Sequence, residues 1–126
     1  MTREDELSNV IIGAAIEVHR HLGPGLLESA YEECLAQEFK LRSTRFERQK
    51  PIPIIYKGVN LDCGFRLDFL VEELVIVELK AIEKFTVIHD AQILSHLKLM
   101  HKKLGLLLNF NVVRMAMGIR RQVNQL

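Results

Sequence analysis

Between Thr44 and Ala81 the apolar residues of this chain alternate with a period of two, while on both sides they recur at helical spacing. A strand turns successive side chains to opposite faces and a helix brings them round every 3.6 residues, so this change of period dictates the order of elements. A first helix is predicted from near Asp5 to His21, with Leu7, Val10, Ile11, Ala14, Ala15 and Val18 along one face. Gly23, Pro24 and Gly25 end it, because glycine and proline together favour a turn. A second helix is predicted from Leu26 to Leu41, with Leu27, Ala30, Tyr31, Cys34, Leu35 and Phe39 as its apolar stripe.

Within the alternating region, Phe46–Gln49 and Ile52–Tyr56 are strand candidates, the second with prolines at 51 and 53 that suit an edge or an irregularity. Lys57 to Asn60 reads as a turn, and Leu61–Val71 with Leu74–Leu79 reads as a hairpin around Glu72 and Glu73. A third helix is predicted over Ile88–Lys103, with Ala91, Leu94, Leu97 and Met100 facing inward. Leu104–Phe110 is nearly all apolar, as a strand covered on both faces requires, and Ile119–Val123 adds a last strand. The order implies an α/β fold: a mixed sheet flanked by helices, in one domain over residues 1–126.

The chain has 126 residues, 48% hydrophobic and 26% charged, within the range of globular domains. Its formal net charge of +1 excludes a global electrostatic attraction for nucleic acid, leaving local patches to supply any. Basic groups occur at Arg45, Arg48, Lys50 and Lys57, at Lys98, Lys102 and Lys103, and at Arg114, Arg120 and Arg121. Each reads equally as a solvated surface or as a phosphate contact. Cys34 and Cys63 have no metal-ligand spacing and are expected to remain reduced thiols among apolar residues. The charged N-terminus leads into no secretory apolar stretch, and no apolar run is long enough to cross a bilayer. A cytoplasmic protein is expected.

The chemistry-bearing pattern is Asp68 followed ten residues later by Glu78-Leu79-Lys80. Residues two apart in a strand share a face, so Glu78 and Lys80 project together while Val77 and Leu79 point the other way. Charged groups at the end of an apolar strand are costly unless paired or bound. Two carboxylates beside a lysine suit metal-assisted hydrolysis of a phosphodiester. Asp68, Glu78 and the Leu79 backbone carbonyl would hold Mg²⁺ (or Mn²⁺), and Lys80 would orient the attacking water or stabilise developing negative charge. The competing reading is an ordinary salt bridge or solvated face, and spacing leaves both open. Register discriminates between them. A plain two-residue loop at Glu72-Glu73 would oppose Asp68 to Val77 and part the carboxylates, so an odd-length loop or a bulge is expected.

The segment Gly25-Leu-Leu-Glu28-Ser-Ala-Tyr31, read as G-x-x-E-x-x-Y, resembles the signature of the GxxExxY protein family within the PD-(D/E)XK nuclease superfamily. The similarity extends over Val18–Gly25, Arg48–Pro53, Arg66–Asp68, Val77–Ala81, Ala91-Gln92 and Gly105–Phe110. It implies a restriction-endonuclease-like core of one helix, three strands, a helix and a strand, with an extra N-terminal helix. It implies that Asp68 is the motif aspartate and that Glu78 and Lys80 are the E-x-K pair, although Leu67 stands where a proline is usual. By the same resemblance Glu28 is the acidic helix residue before the sheet, a further metal or water ligand, and Gln92 is a polar position pointing into the site. His96 stands one turn after Gln92 where a tyrosine is commoner in the family, and carries no assigned role.

His19 and His21 are too close in sequence to face one another on a helix and are expected to cap or hydrogen-bond near Gly23. Tyr31 reads as a packing aromatic. The expected activity is a divalent-metal-dependent nuclease acting on DNA, or RNA, without a membrane partner. A chain this small would need a homodimer or another subunit for sequence-specific cutting. No aromatic-rich stretch points to base stacking on single strands. The alternative function is a non-catalytic nucleic-acid-binding or protein-interaction module on the same fold.

Overall fold

A computed structural model describes residues 1–125. Two helices, α1 (Arg3–Leu22) and α2 (Glu28–Leu41), come first. Strand β1 (Phe46–Pro51), a ribbon of β2 (Ile54–Tyr56) and β3 (Val59–Leu61), and strands β4 (Arg66–Val71) and β5 (Val75–Lys80) follow. Helix α3 (Val87–Met100), β6 (Leu104–Asn109), a 3₁₀ turn at Met115–Gly118 and β7 (Ile119–Val123) complete the chain. The main sheet runs β1-β4-β5-β6-β7, parallel only between β5 and β6, and β2 with β3 forms a separate two-stranded sheet. This is the expected mixed sheet flanked by helices, and the order α2, β1, β4, β5, α3, β6 is consistent with a restriction-endonuclease-like core. No helix is long and apolar enough to cross a membrane among the described residues.

Each face of the sheet is sealed by its own core. Phe69, Val71, Val75, Val77, Leu79, Leu104, Leu106 and Leu108 pack beneath α1 and α2, against Ile11, Leu35 and Phe39. Leu70, Ile76 and Leu107 pack with Ile93 and Leu97 of α3 on the other face. Strand β6 is buried along its whole length, as its unbroken apolar run requires. Gly118 lets the chain return close to β6: a Cβ there would lie 2.0 Å from the Asn109 carbonyl oxygen.

Several expected boundaries move. Helix α1 starts two residues early because Thr2 and Asp5 form a reciprocal capping box. Helix α2 starts at Glu28, leaving Leu27 at its N-terminal boundary and 78% exposed instead of in the stripe. The expected strand Leu61–Val71 splits, since Leu61 ends the small ribbon and β4 begins only at Arg66. In α3 the buried residues are Ile93 and Leu97, with Ala91 exposed. That helix is apolar on more than one face, so its periodicity did not single out the core side. Cys34 is half-buried, whereas Cys63 is exposed on the loop before β4.

The G-x-x-E-x-x-Y segment has a plain structural basis. Tyr31 is fully buried and stacks on Phe110 with ring centroids 4.5 Å apart. Its hydroxyl donates to the Gly23 carbonyl at 2.6 Å and accepts from the Leu26 N–H at 3.1 Å, which clamps the interhelical turn. Gly25, with φ of 100°, supplies the left-handed geometry that turn demands. His19 is buried, its ring hydrogen-bonded to the Val112 carbonyl and its own carbonyl accepting from the Gly23 N–H; His21 pairs with Glu17.

Candidate active site

The β4–β5 turn sets the register. Val71 pairs with Val75, Leu70 with Ile76 and Phe69 with Val77, so Glu72, Glu73 and Leu74 form a three-residue loop. Glu72 and Glu73 take φ of 51° and 63°, and the Leu74 N–H closes the turn on the Val71 carbonyl. The loop is odd in length, as the metal-site reading requires. Counted on along the ladder, Asp68 falls opposite Glu78.

The ladder then opens at Asp68. Leu67 joins the same core as Leu70, three residues away, so strict alternation breaks between them. On β1, Gln49 faces this point with φ of 51°, and pairing resumes at Lys50 and Leu67. The irregularity turns the Asp68 carboxylate into the gap between β4 and β5. There its Oδ2 accepts the Leu79 N–H at 2.8 Å, in place of a backbone carbonyl. N–H and C=O groups of one strand residue point to the same side, so the Leu79 carbonyl is directed towards the same gap.

Glu78, only 7% exposed, lies on the α3 face, and its Oε2 is 2.6 Å from Nδ1 of His96. Lys80 shares that face at the strand end, half-buried and without an ion pair among the described residues. Gln49 Nε2 donates to Asp68 Oδ1 at 3.3 Å and to Glu32 Oε1 at 2.6 Å, linking the aspartate to helix α2. Arg48 donates to Glu32 and Glu33 and lies over the Phe69 ring. Burial pushes the Asp68 carboxyl above its ordinary range despite the Leu79 N–H, and the charges of Glu32 and Glu78 push it further.

Glu28 is exposed in the first turn of α2, with no hydrogen bond or ion pair among the described residues. Glu32, one turn further along the same face, is the α2 carboxylate joined to Asp68 through Gln49. Sequence reasoning passed over Glu32, Gln49 and His96. The spacing of Glu28 and Glu32 was a usable signal, whereas the contact between His96 and Glu78 joins elements that only folding brings together. Gln92 is exposed on α3 and lines, with His96, a groove of about 330 Å³ between α3 and the loop before β4.

Mg²⁺ is a hard ion that commonly binds through one or two carboxylates and keeps several waters. Asp68, Glu78 and the Leu79 carbonyl suit that habit; Asp68 is raised mainly by burial and further by the charges of Glu32 and Glu78, a charge a cation would relieve. Among the described residues no three His, Cys, Asp or Glu side chains stand close enough to form a cage by themselves. Substrate oxygens and water would have to complete the coordination.

A family model described as the PD-(D/E)XK nuclease superfamily matches residues 5–122. No curated protein and no solved structure matches the chain.

Proposed function

The chain belongs to the PD-(D/E)XK nuclease superfamily, and from that premise we propose that it is a divalent-metal-dependent nuclease of the GxxExxY type, with Asp68, Glu78 and Lys80 as its catalytic residues. The observation that carries this reading is the Asp68 carboxylate, turned into the ladder onto the Leu79 N–H, with its pKa raised by burial and by Glu32 and Glu78 nearby. A folded chain gains nothing in stability from burying an acid beside like charges, and carboxyls perturbed in this way cluster at functional sites.

Asp68, Glu78 and the Leu79 carbonyl would hold Mg²⁺ or Mn²⁺. When bound, the ion supplies Lewis-acid polarisation of the phosphate and a lower pKa for water. His96 fixes the Glu78 carboxylate in one orientation, and Gln49 does the same for Asp68. Lys80, on the face of Glu78, donates to the attacking water or to the phosphate oxygens as charge builds on them. Glu28, exposed at the start of α2, would serve as a further ligand for the ion or its water. Gln92 supports substrate from α3. DNA is the first substrate to test, with RNA as the second.

Labelled duplex, branched and single-stranded substrates with Mg²⁺ or Mn²⁺ test the proposal. Lys80→Ala and Asp68→Ala should each lower the cleavage rate by about two orders of magnitude or more. His96→Ala should lower activity by roughly tenfold to a hundredfold, recovered in part by raised metal concentration. Cleavage unchanged in Asp68→Ala or Lys80→Ala would eliminate the mechanism. Binding without turnover by the unaltered protein would favour the non-catalytic module.

A further inference from the structure

The groove beside His96 has a composition that neither hydrolysis nor core packing requires. Its walls are Ile54, Phe65, Ile88 and Leu99, and its polar groups are Gln92, Ser95 and His96. Phe65 is 52% exposed and Ile88 59%, so these apolar groups are not consumed by the core beneath them. Gln92, Ser95 and His96 fall three and four residues apart on α3 and therefore share one helix face. The groove adjoins the candidate centre through His96, whose side chain lines the groove, bonds Glu78 and stands 6.5 Å from the Phe65 ring.

From this arrangement we propose that the groove receives one unpaired nucleobase of the substrate, stacked on Phe65 and read along its edge by Gln92 and Ser95. The proposal rests on the nuclease reading and narrows it to nucleic acids with an unpaired nucleotide near the scissile phosphate. Three observations favour a base over another occupant. A volume of about 330 Å³ lies at the small end of ligand-sized clefts, too small for a docked helix. An aromatic and aliphatic wall with an amide and a hydroxyl at its rim matches a base, which has an apolar face and a hydrogen-bonding edge. His96, which lines the groove and bonds Glu78, would keep such a base within one side chain of the candidate centre. A base inside a duplex is stacked and paired, so only an unpaired or extruded nucleotide can enter.

The test uses a duplex with one bulged 2-aminopurine nucleotide, the same duplex with an abasic residue at that place, and the fully paired duplex. Binding is measured in EDTA, so that cleavage is not needed. The unaltered protein should bind the base-containing bulge about tenfold or more tighter than the abasic one, in line with the stacking of one base on an aromatic side chain. Phe65→Ala and Ser95→Ala should bring that ratio towards one while leaving affinity for the paired duplex unchanged. A ratio that persists in both variants, or preference for the paired duplex, overturns the groove assignment and leaves the nuclease reading standing. Failure to bind any of the three overturns the groove assignment, and failure to cut any substrate in Mg²⁺ or Mn²⁺ as well overturns both. A dimer in solution that dissociates in Phe65→Ala would identify the groove as a contact between copies of the chain, and also overturns the proposal.

Discussion

Burial and the charges of Glu32 and Glu78 raise the carboxyl of Asp68, so the fold favours its protonated form. The consequence for stability has a definite sign. A group whose folded pKa exceeds its unfolded value, about 3.9 for aspartate, contributes stability in acid that is lost as pH rises through the folded value. At neutral pH the ionised Asp68 therefore works against folding. Asp68→Asn, whose amide oxygen can still accept the Leu79 N–H, should melt higher than the unaltered protein at neutral pH without divalent cations. The difference should shrink as pH falls towards about 4. A lower melting temperature for the variant at neutral pH would remove the crowding argument. The same substitution should abolish cleavage, so stability and activity would move in opposite directions.

At the scale of elements, the β4–β5 hairpin controls the site through its loop. Glu72 and Glu73 both sit in left-handed backbone, which costs a non-glycine residue about 1–2 kcal/mol. Glu72 is held by ion pairs to Arg45 and Arg3, whereas Glu73 is exposed. Glu73→Gly should thus stabilise the protein by about 0.5–1 kcal/mol, once the entropic cost of glycine is set against the relieved strain. Chemical denaturation reads this, with cleavage unchanged. Deletion of Glu73 should act oppositely. A two-residue loop shifts the register by one, either parting Asp68 from Glu78 or turning Glu78 under α1 and α2. Cleavage should vanish, and a deletion variant that still cuts would show that the register does not govern the site.

For the molecule as a whole, internal pairing consumes much of the basic surface. Arg42 pairs with Glu38, Arg45 with Glu72, Arg48 with Glu32 and Glu33, Lys50 with Glu47, Arg120 with Asp90 and Arg121 with Asp5. The last pair ties the start of α1 to β7, and with Thr2 it holds Asp5 near a pKa of about 2. With a net charge of +1, phosphate contacts would fall to the basic groups outside these pairs, such as Lys57, Lys98, Lys102, Lys103 and Arg114. Each neutralised phosphate contributes about −0.9 to the slope of log affinity against log salt. Binding to duplex DNA should show a slope shallower than about −4, measured by titration at several salt concentrations. A steeper slope would reveal a basic surface assembled from more than one copy of the chain.

The succession of elements was legible because hydrophobic period is a local property: both long helices, the fully buried β6 and the boundaries of β7 follow from it directly. Asp68, Glu78 and Lys80 were legible as residue types in order, and the need for an odd turn followed from the twofold alternation of a strand. Tertiary structure alone decided how these groups meet. It turned Asp68 into the ladder at the Gln49 irregularity, brought His96 onto Glu78 and chose Glu32 over Glu28 as the helix carboxylate linked to the aspartate. It also left Phe65 and Ile54 beside α3 as a groove instead of core. The physical reason is the same in each case. Periodicity tells which way a side chain points from its own element, whereas a contact depends on the twist and spacing of two elements that the chain brings together only by packing.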